Sequence, residues 1–341
     1  RIIGTWISLS LKIFKAVRRR KFYISGLYKS MNKKPLLVLI GPTASGKSAF
    51  AIQLARSLNG EIVSADSRYL YKELNIGVAK PSPVELASVP HHLINVASLA
   101  DSWNLGLYKK FATHVIEQIQ NRGVLPILTG GTGQYIRSIL QNWQVPSRGP
   151  DGQLRADLET IGAKIGFDRL YDLLAAIDPE AAANIDYRNH RRTVRALEVI
   201  LNTGRKFSEQ RDKAEPPYET LILGLEVPRE VLYARIDQRI NDMLAGGLLE
   251  EVQSLLDAGF GSRLDSMRVI GYNEIISFLK GELTLEEAVA LIKRNTRVYV
   301  RRQANWFKPS DPTIHWLNAQ DPALLQNALD LVASRFGVTP Q

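Results

Sequence analysis

Along the chain, short runs of consecutive apolar residues alternate with longer stretches in which apolar side chains recur every three or four positions. The first pattern predicts strands buried on both faces, and the second predicts helices packed against them. Pro35–Ile40 is the first such run, and Ala49–Leu58 the first helix, stopped by Asn59-Gly60, which tolerate a left-handed cap. Strands follow at Glu61–Ser64 and Val124–Leu128, with helices at Leu105–Gln120 and Gln134–Leu140. From about 145 to 217 the strand signal is lost, and Pro/Gly-rich borders at 145–150 and 215–217 enclose helical sequence, which predicts a helical insertion. Leu221–Leu225 returns to the sheet, helices are expected over 229–258, 272–280 and 284–307, and Thr313–Leu317 reads as a late edge strand. This alternation predicts an α/β fold.

The junction of the first strand and first helix reads Gly41-Pro42-Thr43-Ala44-Ser45-Gly46-Lys47-Ser48. A buried strand that delivers glycines into a helix N-terminus turns backbone N–H groups toward an anion, and the helix end adds partial positive charge. Lys47 is then suited to a terminal phosphate and the Ser48 hydroxyl to Mg²⁺. The same strand, glycine turn and helix order recurs at Thr129-Gly130-Gly131-Thr132-Gly133.

Around that loop stand further groups with chemistry. Asp66 ends the second strand, near the carboxyl edge where open α/β sheets bind ligands, so it is the candidate general base. A helix cap or a magnesium ligand are its alternative roles. Thr43 can donate its hydroxyl to a bridging phosphate oxygen or serve the turn. Arg235 and Arg239 share a helix face and can neutralise a departing pyrophosphate, unless they line a solvated face with Asp237. Arg188, Arg191, Arg192 and Arg195 crowd the insertion, and Lys293, Arg297 and Arg301 form an i, i+4 basic stripe suited to a phosphate backbone. Trp306 follows the stripe as a core residue or a base-stacking one, and His91 and His92 read as loop residues.

Composition narrows the partners. The chain has 341 residues, no cysteine and a net charge of +10. Disulfides and zinc fingers are excluded, a reducing, cytoplasmic setting is expected, and no charge-free 18-residue apolar stretch suggests a membrane span. The charge excess is local: residues 1–34 hold ten Lys/Arg and no acid, leaving 34 basic residues to balance 34 acidic ones. Any RNA site must therefore come from clustering and not from net field. Residues 1–34 are expected to lie outside the fold, as sequence upstream of a start at Met31, a targeting peptide or a basic arm.

Taken together, the segments resemble the tRNA dimethylallyltransferase family of bacterial type. The stretches that carry the likeness are the loop 41–48, Ser64-Ala-Asp-Ser67 with Ile76-Gly-Val-Ala-Lys-Pro81, Pro90-His-His-Leu93, Gly130-Gly-Thr-Gly133, Arg195-Ala-Leu-Glu-Val199 and Ile270-Gly-Tyr272. They occur in the family's order over about residues 35–318. The resemblance implies a P-loop NTPase-like parallel sheet core (35–144 and 218–341) with a helical insertion domain over 145–217 and a helical C-terminal region.

It also implies an activity: transfer of a dimethylallyl group from dimethylallyl diphosphate to N6 of adenosine 37 in tRNA, with Mg²⁺, by a monomer. Asp66 then resembles the base, Thr43 and Arg239 the groups assisting the leaving diphosphate, and 41–48 the donor cradle. Asp66, Ser67, Arg68 and Tyr69 fall at family positions that contact tRNA, as do Thr132, Arg155, Arg191, Arg192, Thr193, Val194, Arg195, Arg268, Gly271, Tyr272 and Asn273. Two positions depart from the pattern: Tyr69 stands where many members have Gln, and Val78 where Thr is usual. An adenylate isopentenyltransferase acting on AMP, or an RNA-binding nucleotide switch, would share the loop, but a mononucleotide needs neither the insertion nor the basic C-terminal helices.

Overall fold

The computed structural model describes residues 33–143, 151–209 and 217–338. The expected extension lies outside these residues, apart from Lys33 and Lys34, as do the insertion's borders at 145–150 and, except for Pro217, at 215–217.

Among the described residues, six parallel strands form one sheet in the order β3-β2-β4-β1-β5-β6. They are β1 (Lys34–Ile40), β2 (Glu61–Ser64), β3 (His91–His92), β4 (Pro126–Thr129), β5 (Tyr218–Glu226) and β6 (Ile314–Asn318). β1 is central, pairing with β4 on one side and β5 on the other. Its side chains alternate between two layers: Leu36, Val38 and Ile40 join one hydrophobic cluster, while Leu37 and Leu39 join another. A strand apolar from Pro35 to Ile40 is thus explained by helices on both faces. One layer contains α1 (Lys47–Ser57) and the last helix (Leu324–Phe336); the other contains α3 (Leu105–Asn121) and most of the C-terminal helices. Burial of each such leucine contributes about 1.5–3 kcal/mol.

Several expectations change in detail. The helix read over 229–258 is two, α9 (Arg229–Ala245) and α10 (Leu248–Asp257), broken at Gly246-Gly247 where Gly247 has φ 97°. The short helices α2 (Pro83–Ser88) and α11 (Gly261–Met267) and the terminal helix Leu324–Phe336 carried no recognised signal. His91 and His92 are not loop residues: they form the edge strand β3, in which His92 Nε2 meets Glu61 Oε2 at 2.7 Å. Arg122 pairs with the same carboxylate, and these partners pull Glu61 below its ordinary value against the opposing effect of burial. A two-residue strand has no periodicity to read.

The segment 151–209 has a hydrophobic cluster of its own. Its helices are α5 (Gly152–Ile165), α6 (Phe167–Ile177), α7 (Pro179–Ala183) and α8 (His190–Thr203). Glu198, fully buried in α8, ties α5 to α8 by accepting from Asp151 N, Arg155 Nε and Nη2, and Arg195 Nη1. After α11 come α12 (Tyr272–Leu279) and α13 (Leu285–Gln303), which starts in a Thr284/Glu287 capping box.

Candidate active site

The carboxyl ends of β1, β2 and β4 open into a cleft of about 1100 Å³, bordered by the 43–51 loop and helix start, Asp66–Tyr69, Gly77–Pro81, Thr129–Gln134, α9 and α13. The geometry of the 41–48 loop follows from its glycines. Gly46, the residue before α1, sits at φ 94°, where a side chain is strained. The loop's Ser45 Oγ and the Thr129 Oγ1 at the end of β4 are both buried and meet no protein hydrogen-bond partner. Polar atoms of this kind, beside a helix N-terminus, suit an anion.

Lys47 Nζ donates to the Pro42 carbonyl at 2.6 Å. Burial lowers its pKa to about 8, with the Arg239 charge acting in the same direction and Asp66 opposing. Thr43 is engaged by a residue far along the chain: its N–H and its hydroxyl both donate to Gln303 Oε1, at 2.8 and 3.1 Å. Gln303 Nε2 in turn donates to the Gly131 carbonyl at 2.9 Å, joined there by the Tyr299 hydroxyl at 3.0 Å. Gln303 therefore links the first glycine loop to the second. Tyr299 and Gln303 are one helical turn apart, a spacing visible in the sequence but masked by the stronger basic pattern between them.

Asp66 stands between the two loops. Its Oδ1 accepts from Arg68 N at 2.9 Å, an Asx turn that fixes the carboxylate. A side chain on Gly131 would come within 2.9 Å of Asp66 Oδ2, and one on Gly130 within 2.2 Å of the Ala65 backbone. Only glycine lets the second loop close on the carboxylate. The Asp66 charge pushes up the pKa of Tyr69, Tyr135 and Tyr299, whose main perturbation is burial. Thr132 Oγ1 accepts from Ser67 N at 3.0 Å, and Arg68 Nη2 donates to the Met267 carbonyl at 2.7 Å.

Arg235 and Arg239 both turn toward the cleft: Arg235 Nη1 reaches the Ala44 carbonyl at 3.4 Å, and Arg239 Nη2 reaches Val78 and Ala79 carbonyls at 3.5 and 3.4 Å. Asp237 is on another face, paired with Arg297 Nη2 at 2.7 Å. That pairing changes the reading of the basic stripe. Arg297 is held by Asp237 and lies over the Tyr233 ring, whereas Arg301 is exposed, so the three cations are not one free surface. Trp306 is about one-third exposed and borders the cleft beside Gly133, so it is not a core tryptophan.

Other residues singled out by resemblance differ in exposure. Arg191 is exposed, Arg192 half-buried, and Arg155 and Arg195 are braced by Glu198 with part of each guanidinium open. Thr193, Val194 and Tyr272 have buried side chains. Tyr272 bonds to Glu251, whose carboxylate also accepts from Ile76 N and Gly77 N, so its side chain serves the wall of the cleft. Gly271, with φ 95°, precedes α12 and its N–H meets Glu274; Arg268 sits at φ 47°, and Asn273 Oδ1 is buried.

A family model described as IPP transferase matches residues 69–310. The chain is 47% identical over 298 residues to a tRNA dimethylallyltransferase of Roseiflexus sp. (strain RS-1), covering 87% of this chain and 97% of the relative. The chain belongs to the tRNA dimethylallyltransferase family. A second relative of that description, from Roseiflexus castenholzii, is 48% identical across 89% of this chain and 98% of its own. Among solved structures, the tRNA isopentenylpyrophosphate transferase of Bacillus halodurans superposes with a TM-score of 0.67 at 36% identity, covering 89% and 97% of the two chains. A eukaryotic dimethylallyltransferase acting on tRNA gives 0.76 at 30% identity, covering 89% and 80%. The fold of this transferase family is P-loop NTPase-like. Among the described residues, no helix is long and apolar enough to cross a membrane.

Proposed function

We propose that the chain transfers the dimethylallyl group of dimethylallyl diphosphate to N6 of adenosine 37 in a tRNA anticodon loop. The observation that carries this reading is a single cleft with an anion cradle on one wall and a fixed carboxylate, Asp66, on the other. A kinase would use such a cradle for a nucleotide; the family membership supports an allylic diphosphate as the donor here. The N6 lone pair forms the new C–N bond at the allylic carbon as its C–O bond breaks. The electron pair leaves with diphosphate, and Asp66 takes the N6 proton.

The departing charge is the main electrostatic load, and Lys47, Arg239 and Thr43, which line the cleft, would bear it, Thr43 by turning its donors from Gln303. Mg²⁺ suits the oxygen groups present. Ser48 and Asp66 offer hard ligands, and among the described residues no cluster of three or more His, Asp or Glu forms an all-protein cage. Ser48 and Asp66 would hold the ion together with substrate phosphates, whose charge it would neutralise. The base must leave its stack to reach the cleft. Arg68, Arg191, Arg192, Arg195, Arg268 and Arg301 would grip stem and loop. The substrate supports a cytoplasmic setting.

Incubation with labelled donor and either tRNA or AMP, then digestion and mass spectrometry of the nucleosides, tests the proposal. N6-dimethylallyladenosine in tRNA is expected, and transfer to AMP alone would overturn it.

A further inference from the structure

Tyr69 belongs to a stretch that resembles RNA-contacting positions, yet its hydroxyl lies with the phosphate-side groups. Oη donates to the Ala79 carbonyl at 2.7 Å, the same oxygen that Arg239 Nη2 reaches at 3.4 Å. A phenol and a guanidinium are thus brought side by side by one acceptor. The hydroxyl also interacts with the Ser48 side chain, next to Lys47 in the loop.

The turn that carries this acceptor is held firmly. Glu251 accepts from Ile76 N and Gly77 N, and Lys80 Nζ donates to Tyr71 O, Asn75 Oδ1 and Asn95 Oδ1. Residues 76–81 carry no hydroxyl of their own, so Tyr69 supplies the one beside it. The turn fixes where the oxygen sits before any ligand arrives, which lowers the ordering cost of binding.

The phenol is a neutral O–H donor, able to turn from the Ala79 carbonyl to an anion. Its neutrality matters as well. Lys47 and Arg239 already border the cleft, so a further cation would add like-charge repulsion that an O–H avoids.

Resting on the function proposed above, we infer that Tyr69 is a donor-side residue, its O–H turning from Ala79 to a diphosphate oxygen beside Arg239, and not a contact to the acceptor base. Tyr69→Phe removes only that O–H. Calorimetric titration with inorganic pyrophosphate and Mg²⁺ is expected to show affinity about tenfold weaker, the effect of losing one hydrogen bond to a charged group. The KM for dimethylallyl diphosphate rises in step, while the KM for an anticodon stem-loop RNA stays within about twofold. Tyr69→Gln, which restores an N–H donor, recovers part of the pyrophosphate affinity.

An RNA KM that rises while pyrophosphate binding is unchanged would overturn the assignment, as would a Phe variant equal to wild type. Equal losses for both substrates with a lowered melting temperature also count against it, because they signal a collapsed cleft. A wild-type protein that binds pyrophosphate without prenylating RNA would sink the functional reading and leave the diphosphate contact standing.

Discussion

Replacing Gln303 by Leu tests whether the link between the two glycine loops serves the reaction. The substitution keeps the side chain's bulk and removes three hydrogen bonds, two from Thr43 at 2.8 and 3.1 Å and one to Gly131 at 2.9 Å. At about 1 kcal/mol net each, the three together contribute up to ~3 kcal/mol of local order. The groups are partly buried, so water recovers some of that. A loss of about 1.4–2.7 kcal/mol corresponds to a fall of roughly 10–100-fold in kcat/KM for the donor.

Steady-state transfer of labelled dimethylallyl to a stem-loop RNA measures it, with circular dichroism as the folding control. Gln303→Glu sharpens the test. A carboxylate still accepts from Thr43, but its second oxygen meets the Gly131 carbonyl with no proton between them. Its charge would also repel the proposed diphosphate in the 41–48 loop, so Glu is expected to be worse than Leu. A folded Leu variant within about twofold of wild type, or a Glu variant better than Leu, would refute the linkage.

Asp66→Ala is expected to lower kcat by about two to four orders of magnitude with RNA affinity nearly intact, read by single-turnover kinetics and filter binding. Full activity would remove Asp66 from proton transfer. Because Lys47 is lowered from 10.5 to about 8, its cation is lost from the free protein as pH rises past that value. The kcat/KM for the donor should therefore fall on an alkaline limb near pH 8, and Lys47→Arg should shift that limb upward. Arg301→Ala should weaken tRNA binding and reduce the slope of log K against log salt by about 1. Arg297→Ala, which breaks the pair with Asp237, should instead show mainly in the melting temperature; a slope change as large as that for Arg301 would mean that Arg297 grips RNA.

Much of this was legible from local pattern. The β1 run, the loop behind it and the start of α1 are neighbours in sequence, so composition and spacing determine them together: apolar residues for a strand covered twice, glycine where φ is positive, and a lysine and serine at the helix start. The ordered motifs from 41 to 272 likewise carried the family. Tertiary structure alone decided which distant groups meet. Gln303 reaches Thr43 across 260 residues, Glu251 closes on Ile76 across 175, and Asp237 takes Arg297 out of a stripe that looked continuous. Tyr69 shares the Ala79 carbonyl with Arg239 because of where the 76–81 turn is anchored. Periodicity reports which face of an element is apolar; it does not report which element packs there, since burial of hydrophobic area is non-directional and partner choice depends on the whole fold.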